Sequence, residues 1–151
     1  MKFQKYMVVG ILGLTMALGF SGCQSENQKN QDAYRKIGIN SMAEGDYDKA
    51  VKSFQKALDT SLGKIGAEEI DICYYKAAAQ FAKKDYDGAI ETYTSLIDYD
   101  KENANAYYLR GSVYLDTDKK DKAFKDYKNA VKYAGREYEI YEGCLLYTSP
   151  S

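Results

Sequence analysis

The sequence has no histidine and no tryptophan, and among its 151 residues only one proline and three cysteines. Without histidine there is no Ser-His or Cys-His nucleophile pair, no imidazole base and no imidazole-ligated metal. Cys23, Cys73 and Cys144 are spaced for no metal or redox motif and supply no disulfide framework. Charge of one sign is also missing: 21 Lys+Arg stand against 22 Asp+Glu, interspersed, so the electrostatic footprint of a nucleic-acid binder is absent. Carboxylate pairs such as Glu68-Glu69 and Asp85-Asp87 fall at expected helix starts or turns, where acids suit the helix dipole. No constellation of a catalytic pocket is visible, so neither an enzyme nor a cofactor is expected. The length leaves room for one domain of ordinary size.

Acidic residues are absent from the stretch before Cys23, which instead carries Lys2 and Lys5, then an apolar run from Met7 to Phe20, then Ser21-Gly22-Cys23. This is the layout of a signal peptide, and the run is short for a membrane-spanning helix. It resembles the bacterial lipoproteins, whose lipobox ends in a small residue before an acceptor cysteine; Phe20 departs from that family's usual leucine. The resemblance implies a cleaved signal peptide over 1–22 and a diacylglyceryl thioether on Cys23. It also implies acylation of the new amine, and two or more chains anchor stably where one does not. The protein would then be anchored to the membrane of the bacterial cell envelope, facing away from the cytoplasm. Gln24 to Gln31 (QSENQKNQ) is polar throughout, so 23–30 is expected to be a lipidated cysteine followed by a disordered tether.

What remains is repetitive. GDYDKAVKSFQKAL from Gly45, KDYDGAIETYTSLI from Lys84 and DKKDKAFKDYKNAV from Asp118 align on Ala50, Ala89 and Ala123. The second interval is 34 residues and the first is 39, the surplus falling in the Gly-containing stretch from Ser61 to Glu69. Four residues after each alanine stands an aromatic, Phe54, Tyr93 and Tyr127, and three further on stand Ala57, Leu96 and Ala130, all on one helical face. Upstream lies a second periodic set, Tyr34, Ile37, Gly38 and Ser41 in the first unit and Tyr107, Arg110, Gly111 and Tyr114 in the third. Each unit therefore reads as helix, polar turn, helix.

These positions resemble the tetratricopeptide repeat, W-x2-L-G-x2-Y followed by A-x3-F and P over about 34 residues. The first unit matches with Tyr34, Ile37, Gly38, Ala50, Phe54 and Ala57, the third with Tyr107, Gly111, Tyr114, Ala123, Tyr127 and Ala130. The middle unit has Cys73, Lys76, Ala77 and Gln80 in its first helix, with Tyr86, Ala89 and Tyr93 restoring the pattern, and no unit has the closing proline. The resemblance implies an all-α solenoid of stacked antiparallel hairpins over 31–143, in which Gly38, Ala77 and Gly111 let paired helices approach closely.

In that family the first helices line a concave groove that holds protein or peptide partners. The corresponding face carries Asp32, Arg35, Ile39 and Met42 in the first unit, Tyr74 and Phe81 in the second, and Asn105, Tyr108, Ser112, Leu115 and Asp116 in the third. The carboxylate-clamp subtype needs Lys and Asn at defined places. Here those places hold Arg35, Tyr74 and Tyr108, then Ile39, Ala78 and Ser112, which argues against acidic C-terminal peptides bound in that manner. A protein or peptide of the envelope is the expected partner; the alternative is a glycan, solute or peptidoglycan fragment held by Tyr74, Phe81 and Tyr108. Most of the 16 tyrosines nevertheless fall at packing positions, and Cys73 is expected to behave as a small apolar group.

Tyr141 lies 34 residues after Tyr107 and is expected to open a fourth unit. The stretch 144–151, CLLYTSPS, resembles a translated transposase-based sequencing adapter, and no repeat logic asks for it. It is expected to be non-native, with Cys144 an artefact and the repeat region interrupted after Gly143.

Overall fold

A computed structural model of the chain describes residues 26–134. The expected signal peptide, Cys23, the start of a fourth unit at Tyr141 and the stretch 144–151 lie outside the described residues. Six helices follow one another: α1 (Glu26–Ala43), α2 (Tyr47–Thr60), α3 (Ala67–Ala82), α4 (Tyr86–Tyr99), α5 (Ala104–Asp116) and α6 (Lys120–Ala134). They pair as α1/α2, α3/α4 and α5/α6, and the hairpins stack through α2 on α3 and α4 on α5. Among the described residues there is no strand, so the all-α solenoid is the fold.

Local chemistry sets the helix ends. Asp46, Asp85 and Asn103 precede α2, α4 and α5, and their side chains accept from the N–H groups of Lys49, Gly88 and Ala106 at 3.0, 3.1 and 3.0 Å. Before α3 the cap is Gly66, whose N–H is satisfied by Glu69 Oε2 reaching back at 2.8 Å. Inside each hairpin the first helix ends in the same way. The residue in the left-handed region is Gly45 (φ 78), Lys84 (φ 66) or Asp118 (φ 56). The next N–H, of Asp46, Asp85 or Lys119, donates to the carbonyl of Ser41, Gln80 or Tyr114 at 2.8 Å in each case. These are Schellman closures, which satisfy carbonyls that a helix end otherwise leaves without partners.

One boundary differs from expectation. α1 starts at Glu26, inside the stretch expected to be a tether, so the folded part begins upstream of residue 31. That stretch lacks apolar periodicity, but Glu, Gln and Lys are good helix formers. Gln31 ties the extension down: it is buried, and its amide donates to Glu69 Oε1 of α3 at 2.7 Å.

The core forms where hairpins meet. Phe54 of α2 is fully buried and stacks on Tyr75 of α3 with ring centroids 5.7 Å apart, in a cluster with Ala50, Ala57, Ile72 and Ala79. A second cluster joins Ala77, Ala89, Tyr93, Leu96, Ala106, Tyr107 and Ala130, and so spans α3 to α6. Ala123 is buried as well. A Cβ on Gly38 would sit 2.5 Å from the Phe54 ring, and one on Gly111 would sit 2.9 Å from the Tyr127 ring. The absent side chains are what let α1 and α5 lie against the aromatics of α2 and α6.

Candidate functional site

Tyr74, in the middle of α3, donates its hydroxyl hydrogen to Asn103 Oδ1 at 2.7 Å, the atom that also caps α5. The cap of one hairpin is thus gripped by the first helix of the preceding one. This contact fixes the spacing of α3 and α5 and leaves an open hollow of about 380 Å³ between them. Asp71, Tyr74, Tyr75 and Ala78 of α3 form one wall, Asn105 and Leu109 of α5 the other, and Tyr93 of α4 lies at the base. Burial, and then the neighbouring Tyr74, push the Tyr93 phenol up to about 12, so it remains a neutral hydroxyl at any physiological pH.

At the α1 side of the hollow, Arg35 donates from Nε to Asp71 Oδ2 at 3.0 Å and its Nη2 pairs with the same oxygen. The guanidinium carbon lies 5.4 Å from the Tyr75 ring centroid, a cation–π contact within the chain. Its hydrogen bond with Asp71 raises the Arg35 pKa against the opposing effect of burial. Next to it, Glu68 shares a hydrogen bond with Asp32, and that bond, followed by burial, holds the Glu68 carboxyl above its ordinary range.

The residues expected to line a groove divide into two groups. Tyr74 lines this hollow and Asn105 is exposed on its α5 wall, while Arg35 is not part of the lining and is bonded to the lining residue Asp71. Ile39 and Met42 are partly buried and pack on the Phe54 cluster. Phe81 makes an edge contact with Tyr86 at 5.8 Å. Tyr108 lies 5.6 Å from Tyr127, and Ser112 Oγ donates to the Tyr108 carbonyl at 3.1 Å while accepting from Tyr127 at 3.3 Å. Leu115 and Asp116 are exposed near the end of α5. Asp71, Tyr75, Tyr93 and Leu109 are site residues that sequence reasoning missed. Tyr75 and Tyr93 carry packing periodicity, and nothing in the sequence says that one edge of each ring faces an opening.

A second polar arrangement was also unforeseen. Arg110 of α5 forks onto Asp126 of α6 at 2.7 and 2.8 Å and donates to Thr94 Oγ1 of α4 at 2.9 Å. Asp126 occupies the register of Ser53 and Thr92, each just before the second-helix aromatic and each buried. Ser53 Oγ is satisfied by the Lys49 carbonyl and Thr92 Oγ1 by Gln80 Oε1, both at 2.8 Å. The pair is structural: it knits three helices and does not line the hollow between α3 and α5. Cys73 is half-buried, and burial pushes its thiol up, which works against a nucleophilic thiolate. Among the described residues no group of His, Cys, Asp and Glu is placed to hold a metal ion.

Three family models match the chain, each described as a tetratricopeptide repeat or TPR repeat, over residues 35–93, 77–118 and 104–136. Solved structures agree in fold. The Arabidopsis OM64 TPR domain is 18% identical, with 82% of this chain and 99% of that one covered at a TM-score of 0.65. The first TPR of Spaghetti (RPAP3), solved with an HSP90 peptide SRMEEVD, is 19% identical, with 84% and 95% covered and a TM-score of 0.65. The Sgt2 TPR domain from Aspergillus fumigatus is 20% identical, with 78% and 76% covered and a TM-score of 0.64. Repeat register, hairpin closures, glycine–aromatic contacts and three overlapping family matches converge, and the chain belongs to the tetratricopeptide repeat family.

Proposed function

We propose that this protein is a non-catalytic interaction module that binds a protein or peptide of the bacterial cell envelope on the face formed by α1, α3 and α5. Its N-terminal Cys23 carries the lipid that holds it to the membrane on the side away from the cytoplasm. The observation that carries the binding reading is the open hollow of about 380 Å³, walled by α3 and α5 and floored with tyrosine rings. It sits on rigid helices, and such a surface accepts an extended or helical segment without rearrangement. A neighbour in fold, the first TPR of Spaghetti, was solved with a bound peptide, which supports the same kind of use here. The anchoring reading rests on the Lys2-Lys5, Met7 to Phe20 and Ser21-Gly22-Cys23 series.

Affinity capture from detergent-solubilised envelope tests this function. The expected result is a protein partner whose recovery falls when Asn105, on the hollow's exposed rim, is changed to Arg. Recovery of no protein, together with saturable binding of a sugar or peptidoglycan fragment abolished by Tyr108→Ala, would overturn it in favour of a solute-binding lipoprotein. Acyl labelling of the wild type but not of Cys23→Ser is expected from the anchoring chemistry, and label on the serine variant would refute it.

A further inference from the structure

The three most exposed large apolar side chains among the described residues are Leu62, Ile65 and Tyr99, at 76, 57 and 55%. All three lie where one hairpin passes to the next: Leu62 and Ile65 between α2 and α3, Tyr99 as the last residue of α4. The two helices of a hairpin run antiparallel, so this is the end of the molecule at which α1 begins. Glu69 joins the two places directly. One of its oxygens accepts from Gln31 of α1 at 2.7 Å and the other from the Gly66 N–H, at the close of the loop, at 2.8 Å.

The same loop stretches the first repeat interval to 39 residues against 34 for the second. Leu62 and Gly63 both hold positive φ, 54 and 76, and the Lys64 N–H donates to the Ser61 carbonyl at 3.1 Å, which makes a tight turn with Leu62 at its tip. A leucine in the left-handed region is strained, and Leu62 belongs to neither core cluster, so no burial within the chain offsets the strain. Lys64, exposed between the two apolar side chains, can lay its stem along an apolar surface while its charge stays in water.

We propose that this end of the molecule rests on the lipid bilayer, with Leu62 and Ile65 entering its interfacial layer and Tyr99 beside them at headgroup depth. This rests on the Cys23 anchor of the reading above and adds a second membrane contact and an orientation. Glu26, the first residue of α1, stands three residues after Cys23. An extended chain spans at most about 3.6 Å per residue, so α1 begins within about 11 Å of the anchored residue. A tether alone leaves a domain free to turn over the surface. Two apolar side chains held this near the lipid insert as a linked contact, for which weak intrinsic affinity suffices. The helices then stand up from the bilayer, and the face formed by α1, α3 and α5 stays open to a partner.

The sequence has no tryptophan, so Leu62→Trp places a single indole in the loop. The lipidated full-length protein carrying it is reconstituted into vesicles of phosphatidylethanolamine and phosphatidylglycerol, with and without brominated phosphatidylcholine. Glu44→Trp, in the exposed turn at the opposite end, is measured beside it. Emission from Leu62→Trp is expected to shift to the blue and to fall by about half or more with brominated lipid, while that of Glu44→Trp stays unchanged. Adding Ile65→Ser to Leu62→Trp is expected to reduce the quenching. Equal quenching at the two sites, or none at Leu62→Trp in acyl-labelled protein, overturns the proposal and leaves the anchor standing. An envelope partner lost from the variant with Leu62→Ser and Ile65→Ser, in the absence of quenching, assigns the loop to a protein and overturns it as well. The anchor fails separately: quenching without acyl label on the wild type keeps the loop contact and removes the anchor, and neither label nor quenching removes both.

Discussion

Gly45, Lys84 and Asp118 close the three hairpins in the same left-handed conformation, yet only the first is free to adopt it. For an L residue that region costs about 1–2 kcal/mol, less for Asp than for Lys, because Cβ crowds the following carbonyl. Lys84 is therefore the strained member of the set. Lys84→Gly is expected to stabilise the protein by about 0.5–1 kcal/mol, the gain reduced by the extra freedom of glycine in the unfolded chain. Gly45→Ala, with open space around its Cβ, should lose about 1 kcal/mol through backbone strain alone. Urea unfolding of both variants checks the pair, and a destabilised Lys84→Gly would show that the turns are not equivalent. The alignment that begins at these three residues was readable in the sequence. Their backbone sign was not, because Lys84 gives no local signal for it.

At the scale of the helix, position within the stack decides what a side chain is worth. Val51 and Ile90 follow the anchor alanines of α2 and α4 and pack on the core, while Phe124 in the same register of α6 is 41% exposed. α3 covers α2 and α5 covers α4; among the described residues nothing follows α6. Ile90→Ala is thus expected to cost about 2 kcal/mol, and Phe124→Ala less than about 1 kcal/mol despite the larger ring removed. Equal losses in urea unfolding would contradict the stacking account. Helix existence, pairing and the aromatic anchors were legible from the spacing of Ala50, Ala89 and Ala123. Three features were not. Arg110 sits at an apolar register, and its partner Asp126 lies one helix away, so periodicity hid the ion pair. α1 extends upstream through residues with helical propensity but no apolar stripe, held by a long-range bond from Gln31. Ile39 and Met42, on the helix face expected to line the groove, have side chains that lean onto the Phe54 cluster.

For the whole molecule, rigidity comes from interfaces between hairpins, and the surface those interfaces hold open is the one offered to a partner. Tyr74 bonded to Asn103 and Phe54 stacked on Tyr75 each join neighbouring hairpins beside the hollow. An opening held this way is preorganised, which lowers the ordering cost of docking. The measurement that tests this most directly is site-specific photocrosslinking in cells, with the reactive group placed at Asn105 on the α5 wall or at Lys128, exposed on α6. The account predicts a discrete protein adduct from Asn105 and none from Lys128. Adducts from Lys128 alone would contradict it.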